Sequence, residues 1–120
     1  MNSSVGVDII EIERVAAVVT RWRERFLHRV YTAAELAYCR GRVPELAARF
    51  AGKEATTKAL GTGIRGLAWR EIEILADPLG KPVVHLHGRA KLRAASIGLA
   101  DFAISLSHSR EYAVAMVVAS

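Results

Sequence analysis

The hydrophobic period of this chain changes between its first and second halves, and that change limits the folds open to it. From Glu11 to Thr20 the apolar residues Ile12, Val15, Val18 and Val19 recur at helical spacing, with Arg14 turned away from them. Trp22, Phe26 and Val30 continue a helical pattern. From Trp69 onward the order is different: Trp69, Glu71, Glu73 and Leu75 alternate with Arg70, Ile72 and Ile74, the period of a strand. A chain patterned this way must pack helices against strands that come mostly after them.

The remaining elements follow from local chemistry. Ser4–Ile9 reads as a short buried strand. Thr32-Ala33-Ala34-Glu35 matches a capping box, so a helix is expected from Thr32 to about Arg40. Pro44 suits the first turn of a longer helix, which runs through Arg49–Leu60 and stops at Gly61 and Gly63. Asp77-Pro78-Leu79-Gly80 has turn chemistry, so Trp69–Leu75 and Pro82–His87 should pair as a hairpin. Gly88–Ile97 is helical by composition, with Gly98 past its end. Phe102–Ser107 and Tyr112–Val118 form two further strands around Ser109–Glu111. The expected architecture is α+β, with a mainly antiparallel sheet packed with helices, in one domain over residues 1–120.

Charge points to an anionic partner. Seventeen Lys and Arg against twelve Asp and Glu leave a net +5, and all but four of the seventeen are arginines. Arginine suits forked contacts to phosphate and carboxylate. Nucleic acid, a phosphorylated cofactor and an acidic protein all satisfy the charge. A nucleic-acid module is disfavoured because no reader motif appears and the arginines are not interleaved with exposed aromatics. The longest apolar run, near Tyr112–Ala119, is too short to span a bilayer. The lone Cys39 and an N-terminus without signal-peptide character fit a cytoplasmic protein.

The candidate chemistry centres on the helix before Gly61. Residues three and four apart share a face, so Phe50, Glu54 and Lys58 form one stripe and Arg49 with Lys53 another. Asp8 ends an apolar strand and reads either as a helix cap or as a ligand. Two carboxylates, Asp8 and Glu54, with Lys58, Lys53 and Arg49 nearby are the parts of a diphosphate–Mg²⁺ site, since Mg²⁺ takes one or two carboxylates plus phosphate oxygens. His108, between Ser107 and Ser109 where a strand meets a loop, reads as a turn residue or as a phosphate or carboxylate contact. Gly61-Thr62-Gly63 is not a P-loop but leaves backbone amides open to a phosphate. His85 and His87 share a strand face with no third ligand nearby and read as ordinary sheet residues.

These residues carry a resemblance. Gly6-Val7-Asp8, then Arg49-Phe50-Ala51-x-Lys53-Glu54-Ala55-x-x-Lys58-Ala59-x-Gly61-Thr62-Gly63, then Gly80-Lys81-Pro82 and Ser107-His108 resemble the holo-acyl-carrier-protein synthase family, the short single-unit 4'-phosphopantetheinyl transferases. The order holds over essentially the whole chain. Gly52 departs from the pattern, where the family usually has a side chain, at roughly 1 kcal/mol of helix propensity.

The resemblance implies transfer of 4'-phosphopantetheine from coenzyme A to a serine of an apo acyl carrier protein, with release of adenosine 3',5'-bisphosphate. It implies Asp8 and Glu54 as Mg²⁺ ligands, and Glu54 and Lys58 as catalytic residues. Arg49, Lys58, Gly61, Pro82 and His108 would contact coenzyme A. Glu54, directly or through a water, is the candidate base for the serine. The carrier, of the fatty-acid or polyketide kind, is acidic; Arg14, Arg21 and Arg25 with Phe26 would then dock it, the other reading being a solvated helical face. A homotrimer with sites between subunits is implied as well. A non-catalytic basic module binding acidic carriers or nucleic acid is the competing reading.

Overall fold

The computed structural model describes residues 2–120. The chain runs β1 (Ser4–Glu11), α1 (Ile12–Trp22), α2 (Glu24–Val30), α3 (Ala33–Cys39), α4 (Val43–Ala59), β2 (Ile72–Ala76), β3 (Pro82–Leu86), α5 (Gly88–Ser96), β4 (Phe102–His108) and β5 (Tyr112–Ala119). The strands form two antiparallel sheets rather than one: β1-β5-β4, and the β2-β3 hairpin. The α+β expectation holds, with every strand pair antiparallel.

Helix α4 is the axis of the fold. It lies against β1, β5 and β4 on one side and against β2 on another. Its small residues allow this. Ala51, Ala55 and Ala59 are buried with Ile72, Ile74, Ala115 and Val117 in one core, while Leu46, Ala47 and Ala48 join Val15, Val30 and Tyr31 in a second core under α1–α3. Gly52 sits where α4 crosses both sheets. A Cβ there would stand 2.5 Å from Ile74 Cδ1 and 3.2 Å from Ile104 Cδ1. The lost helix propensity is therefore exchanged for close packing.

Several local expectations need correction. Trp69–Glu71 is a 3-10 turn, and the strand begins only at Ile72. Asp8 caps no helix. It lies inside β1 opposite Ala115, and α1 starts from Glu11 without a side-chain cap. The capping box is present as expected: Glu35 N donates to Thr32 Oγ1 at 3.2 Å, and Thr32 N donates to Glu35 Oε1 at 2.9 Å. Among the described residues no helix is long and apolar enough to cross a membrane.

Candidate active site

From Leu46 to Ala59, α4 is buried at every position except Phe50, Glu54 and Lys58. These three share one stripe at four-residue spacing, so the helix has a single open line and two of its three side chains are ionisable. Burial of the rest follows from the packing just described. Thr56 and Thr57 tolerate burial because their hydroxyls donate to Gly52 O and Glu54 O, at 2.7 and 2.8 Å.

Strand β1 brings Asp8 to this line. Its burial alternates, with Gly6 and Asp8 on the side facing α4 and Val5, Val7 and Ile9 on the other. A Cβ at Gly6 would overlap the Ala55 carbonyl oxygen, so only glycine lets β1 lie directly on α4. Lys58 Nζ then donates to Asp8 Oδ1 at 3.2 Å and to Val7 O at 2.9 Å. Burial raises the Glu54 carboxyl above its ordinary range, the negative charge of Asp8 raises it further, and Lys58 offsets part of both. Two carboxylates that disfavour each other's charge, with a cation alongside, suit a hard divalent ion held by carboxylate oxygens. Gly61, whose φ of 79° fits the end of α4, donates its N–H to Lys58 O at 3.0 Å.

A second group of expected contacts gathers elsewhere. Arg49, Pro82 and His108 line one cavity of about 240 Å³ with Tyr38, Glu45, Ala48, Gly80 and Leu106. Arg49 is built into its wall: Nε donates to Ile74 O at 3.2 Å, Nη1 to Glu45 Oε2 at 2.9 Å, and the guanidinium lies 4.3 Å from the Tyr38 ring. His108 is exposed, with Nδ1 3.4 Å from Ser109 O. The hydroxyl of Ser109 accepts from the amides of Glu111 and Tyr112, so it holds the β4–β5 turn and is not free for a ligand. Arg49 and Lys58 are nine residues apart on α4, about 13 Å along its axis. Within one chain the expected site residues thus fall into two groups.

Lys53 belongs to neither. Its side chain is fully buried and pairs with Glu35 at 2.8 Å, so it cannot flank a phosphate beside Glu54. Helical spacing placed Lys53 and Arg49 on one stripe but did not show that this stripe faces the protein.

The basic face also differs in detail. Arg14, Arg21 and Arg25 are exposed, whereas Phe26 is half-buried, edge-on to Tyr31 and beside Phe50. The open aromatic is Trp22, 45% exposed, with the Arg21 and Arg25 guanidinia 5.1 and 5.8 Å from its ring. Trp22 and Phe26 line a shallow cavity of about 380 Å³ with Val18, Arg25 and Arg29. An exposed aromatic is therefore interleaved with the arginines, contrary to expectation. Trp22 continued the apolar helical pattern, and nothing local marked it as the member left outside.

In this antiparallel α+β chain Asp8 of β1 thus meets Glu54 and Lys58 on the one open line of the central helix. Residues 4–117 match the ACPS family model, described as the 4'-phosphopantetheinyl transferase superfamily, and the chain belongs to this family. It is 49% identical over 120 residues to the holo-[acyl-carrier-protein] synthase of Herpetosiphon aurantiacus, covering 94% of each chain. It is 52% identical over 114 residues to that of Dehalococcoides mccartyi, covering 95% of each. Its fold is similar to the crystal structure of Helicobacter pylori holo-[acyl-carrier-protein] synthase in complex with coenzyme A, with TM-score 0.89, 32% identity and coverage of 97% and 99%. The Neisseria meningitidis synthase gives TM-score 0.87 at 36% identity, with coverage of 98% and 97%.

Proposed function

We propose that this chain is a holo-acyl-carrier-protein synthase that moves 4'-phosphopantetheine from coenzyme A to a serine of an apo acyl carrier protein, using Mg²⁺. The observation that carries the reading is the meeting of Asp8, Glu54 and Lys58 on the open line of α4.

Each residue then has a task. The serine oxygen attacks the phosphorus that carries the pantetheine arm, forming one P–O bond as the bond to adenosine 3',5'-bisphosphate breaks. Asp8 and Glu54 would hold the Mg²⁺, which would supply neutralisation of charge on the diphosphate. Lys58 steadies the leaving phosphate oxygen. Glu54, directly or through a water, receives the serine proton. Arg49, Pro82 and His108 line the cavity proposed for the nucleotide end of coenzyme A, with Gly61 near the diphosphate.

The two groups of site residues are half-sites joined in a homotrimer, each completed by a neighbouring subunit. In support, the outer face of β1 and β5 is apolar and open. Val5, Val7 and Ile9 on β1 lie opposite Val118, Met116 and Val114 on β5, and all but Val114 are more than 40% exposed. A contiguous patch of this kind marks an association surface. Light scattering should return three copies, and Val7→Glu with Met116→Glu should return one and lose transfer.

The acidic carrier docks on Arg14, Arg21 and Arg25, with Phe26 and Trp22 as apolar contacts. On this reading the enzyme works in the cytoplasm, in fatty-acid biosynthesis or a related carrier-dependent pathway. The test is mass spectrometry of an apo acyl carrier protein incubated with the enzyme, coenzyme A and Mg²⁺. A gain of one phosphopantetheine is expected. Carrier binding without that gain would assign the chain to the non-catalytic reading.

A further inference from the structure

The open line of α4 ends at Gly61, which is exposed and lies just past the helix, beyond Lys58. The turn that follows, Gly61–Gly63, has the composition of a phosphate cradle, but its donors are already engaged. Gly61 N donates to Lys58 O at 3.0 Å, and Thr62 N and Gly63 N donate to Thr57 O at 3.3 and 3.2 Å. The Thr62 hydroxyl donates to Gly63 O at 2.7 Å. Closing the end of α4 consumes the amides that a phosphate would need.

The free donors at this point belong to Arg93, in the last turn of α5. Its Nε donates to Leu60 O at 3.0 Å, and a Cβ at Gly61 would stand 3.4 Å from its Nη2. The edge of the guanidinium therefore lies against the exposed glycine. Arg93 is half-buried, yet among the described residues it forms no ion pair, and neither Nη donates to any group. A partly desolvated charge is ordinarily offset by an opposite one. The C-terminal ends of α4 and α5 both favour a cation here, but they leave most of its N–H groups unused.

We infer that Arg93 binds coenzyme A, its Nη groups donating to an oxygen of the diphosphate at Gly61. Lys58 is held by Asp8 and the Val7 carbonyl on the β1 side of α4, whereas Arg93 reaches the end of the helix from α5. The inference rests on the proposed transfer reaction and adds to it a cation outside every motif in the sequence.

Calorimetry of coenzyme A on the intact enzyme tests it. Arg93→Gln keeps an N–H for Leu60 O and removes the charge, Arg93→Leu removes both, and Arg93→Lys keeps the charge. Arg93→Gln and Arg93→Leu should each raise the Kd for coenzyme A about tenfold at low salt, with the difference shrinking at high salt. Arg93→Lys should recover most of that loss. Dephospho-coenzyme A, which lacks the 3'-phosphate, should show the same ratio of variant to wild type. An unchanged Kd in either folded variant overturns the inference, whatever happens to Tm, because Arg93 then only closes α4. A Kd for Arg93→Lys as high as that for Arg93→Gln overturns it as well, since charge would not be what binds. A rise confined to coenzyme A and missing with dephospho-coenzyme A would move the contact to the 3'-phosphate and overturn the assignment to the diphosphate. If the wild type binds coenzyme A and the variants match it, only this inference falls. If the wild type neither binds coenzyme A nor transfers its arm, the proposed function falls with it.

Discussion

Lys53 Nζ lies 2.8 Å from Glu35 Oε1, and both side chains are fully buried. The pair fastens three elements. Lys53 also donates to the carbonyls of Trp69 and Ile72, while Glu35 Oε2 accepts from Ile74 N at 2.8 Å and Oε1 caps α3. Helix α4 is thereby locked to β2, whose Ile74 carbonyl in turn holds Arg49 in the cavity wall. Burial lowers the Lys53 ammonium's affinity for its proton, and the Glu35 charge opposes that. Removing one partner leaves a buried charge alone. Lys53→Ala should cost about 3–5 kcal/mol in urea unfolding, and Glu35→Leu with Lys53→Met should recover most of it. A loss below about 1 kcal/mol in the single variant would show that the pair is not sealed from water.

Glu54 poses a conflict between stability and activity. Its carboxyl is raised by burial and by Asp8, so the charged form of this side chain works against the fold. Glu54→Gln should raise Tm in metal-free buffer and lower transfer by about 10²-fold or more. Mg²⁺ should raise the wild-type Tm by mass action but not that of the variant. Asp8→Ala should also abolish most transfer with the fold intact, and EDTA should stop the wild type. Full transfer in EDTA would exclude the assigned metal role.

Lys58 is tested by where its loss appears. Held by Asp8 and the Val7 carbonyl, it is placed before substrate arrives, so its charge acts chiefly as the leaving oxygen develops its own. Lys58→Ala should lower kcat with little change in the KM for coenzyme A. A rise in that KM with unchanged kcat would make it a uniform binding contact.

Gly6 couples packing to chemistry. The methyl of Gly6→Ala would meet the Ala55 carbonyl oxygen, which belongs to helix backbone and cannot swing aside. Moving β1 off α4 should cost about 3 kcal/mol and carry Asp8 away from Glu54. Thermal unfolding and Mg²⁺ titration should therefore fail together. A stable variant with wild-type metal response would show that β1 need not lie so close.

Acid should loosen the hairpin. Burial alone would raise the Glu73 carboxyl, but hydrogen bonds from Thr32 Oγ1 and His87 Nε2, at 2.6 and 3.0 Å, outweigh it and hold the carboxyl below its ordinary range. Glu71 is lowered in the same sense: burial opposes, while the amides of Ala68 and Arg89 prevail. A depressed carboxyl stabilises the fold above its unfolded value, about 4.3 for glutamate, and that stabilisation is lost as pH falls through the folded value. Tm should decline below about pH 4. Glu71→Gln with Glu73→Gln should start lower and decline less, and an identical acid limb would remove these groups from the account.

What could be read from the residues alone was local. The capping box at Thr32 and Glu35, the proline-opened α4 with its glycine stop, the Asp77–Gly80 turn and the Phe50–Glu54–Lys58 stripe each depend on neighbours within a few positions, where backbone geometry and side-chain spacing suffice. The tertiary structure decided which side of each element meets water. It buried Lys53 and opened Glu54, one residue apart, because β2 covers one side of α4 and leaves the other line clear. It excluded the cap reading of Asp8 and left that residue beside Lys58, set Trp69–Glu71 as a 3-10 turn, and left Trp22 outside while Phe26 went in. Gly6 and Gly52 have no local reason to be glycine; each is required by a backbone or side chain about fifty or twenty residues away. Such requirements come from close packing between distant segments, and no period or cap within one segment records them.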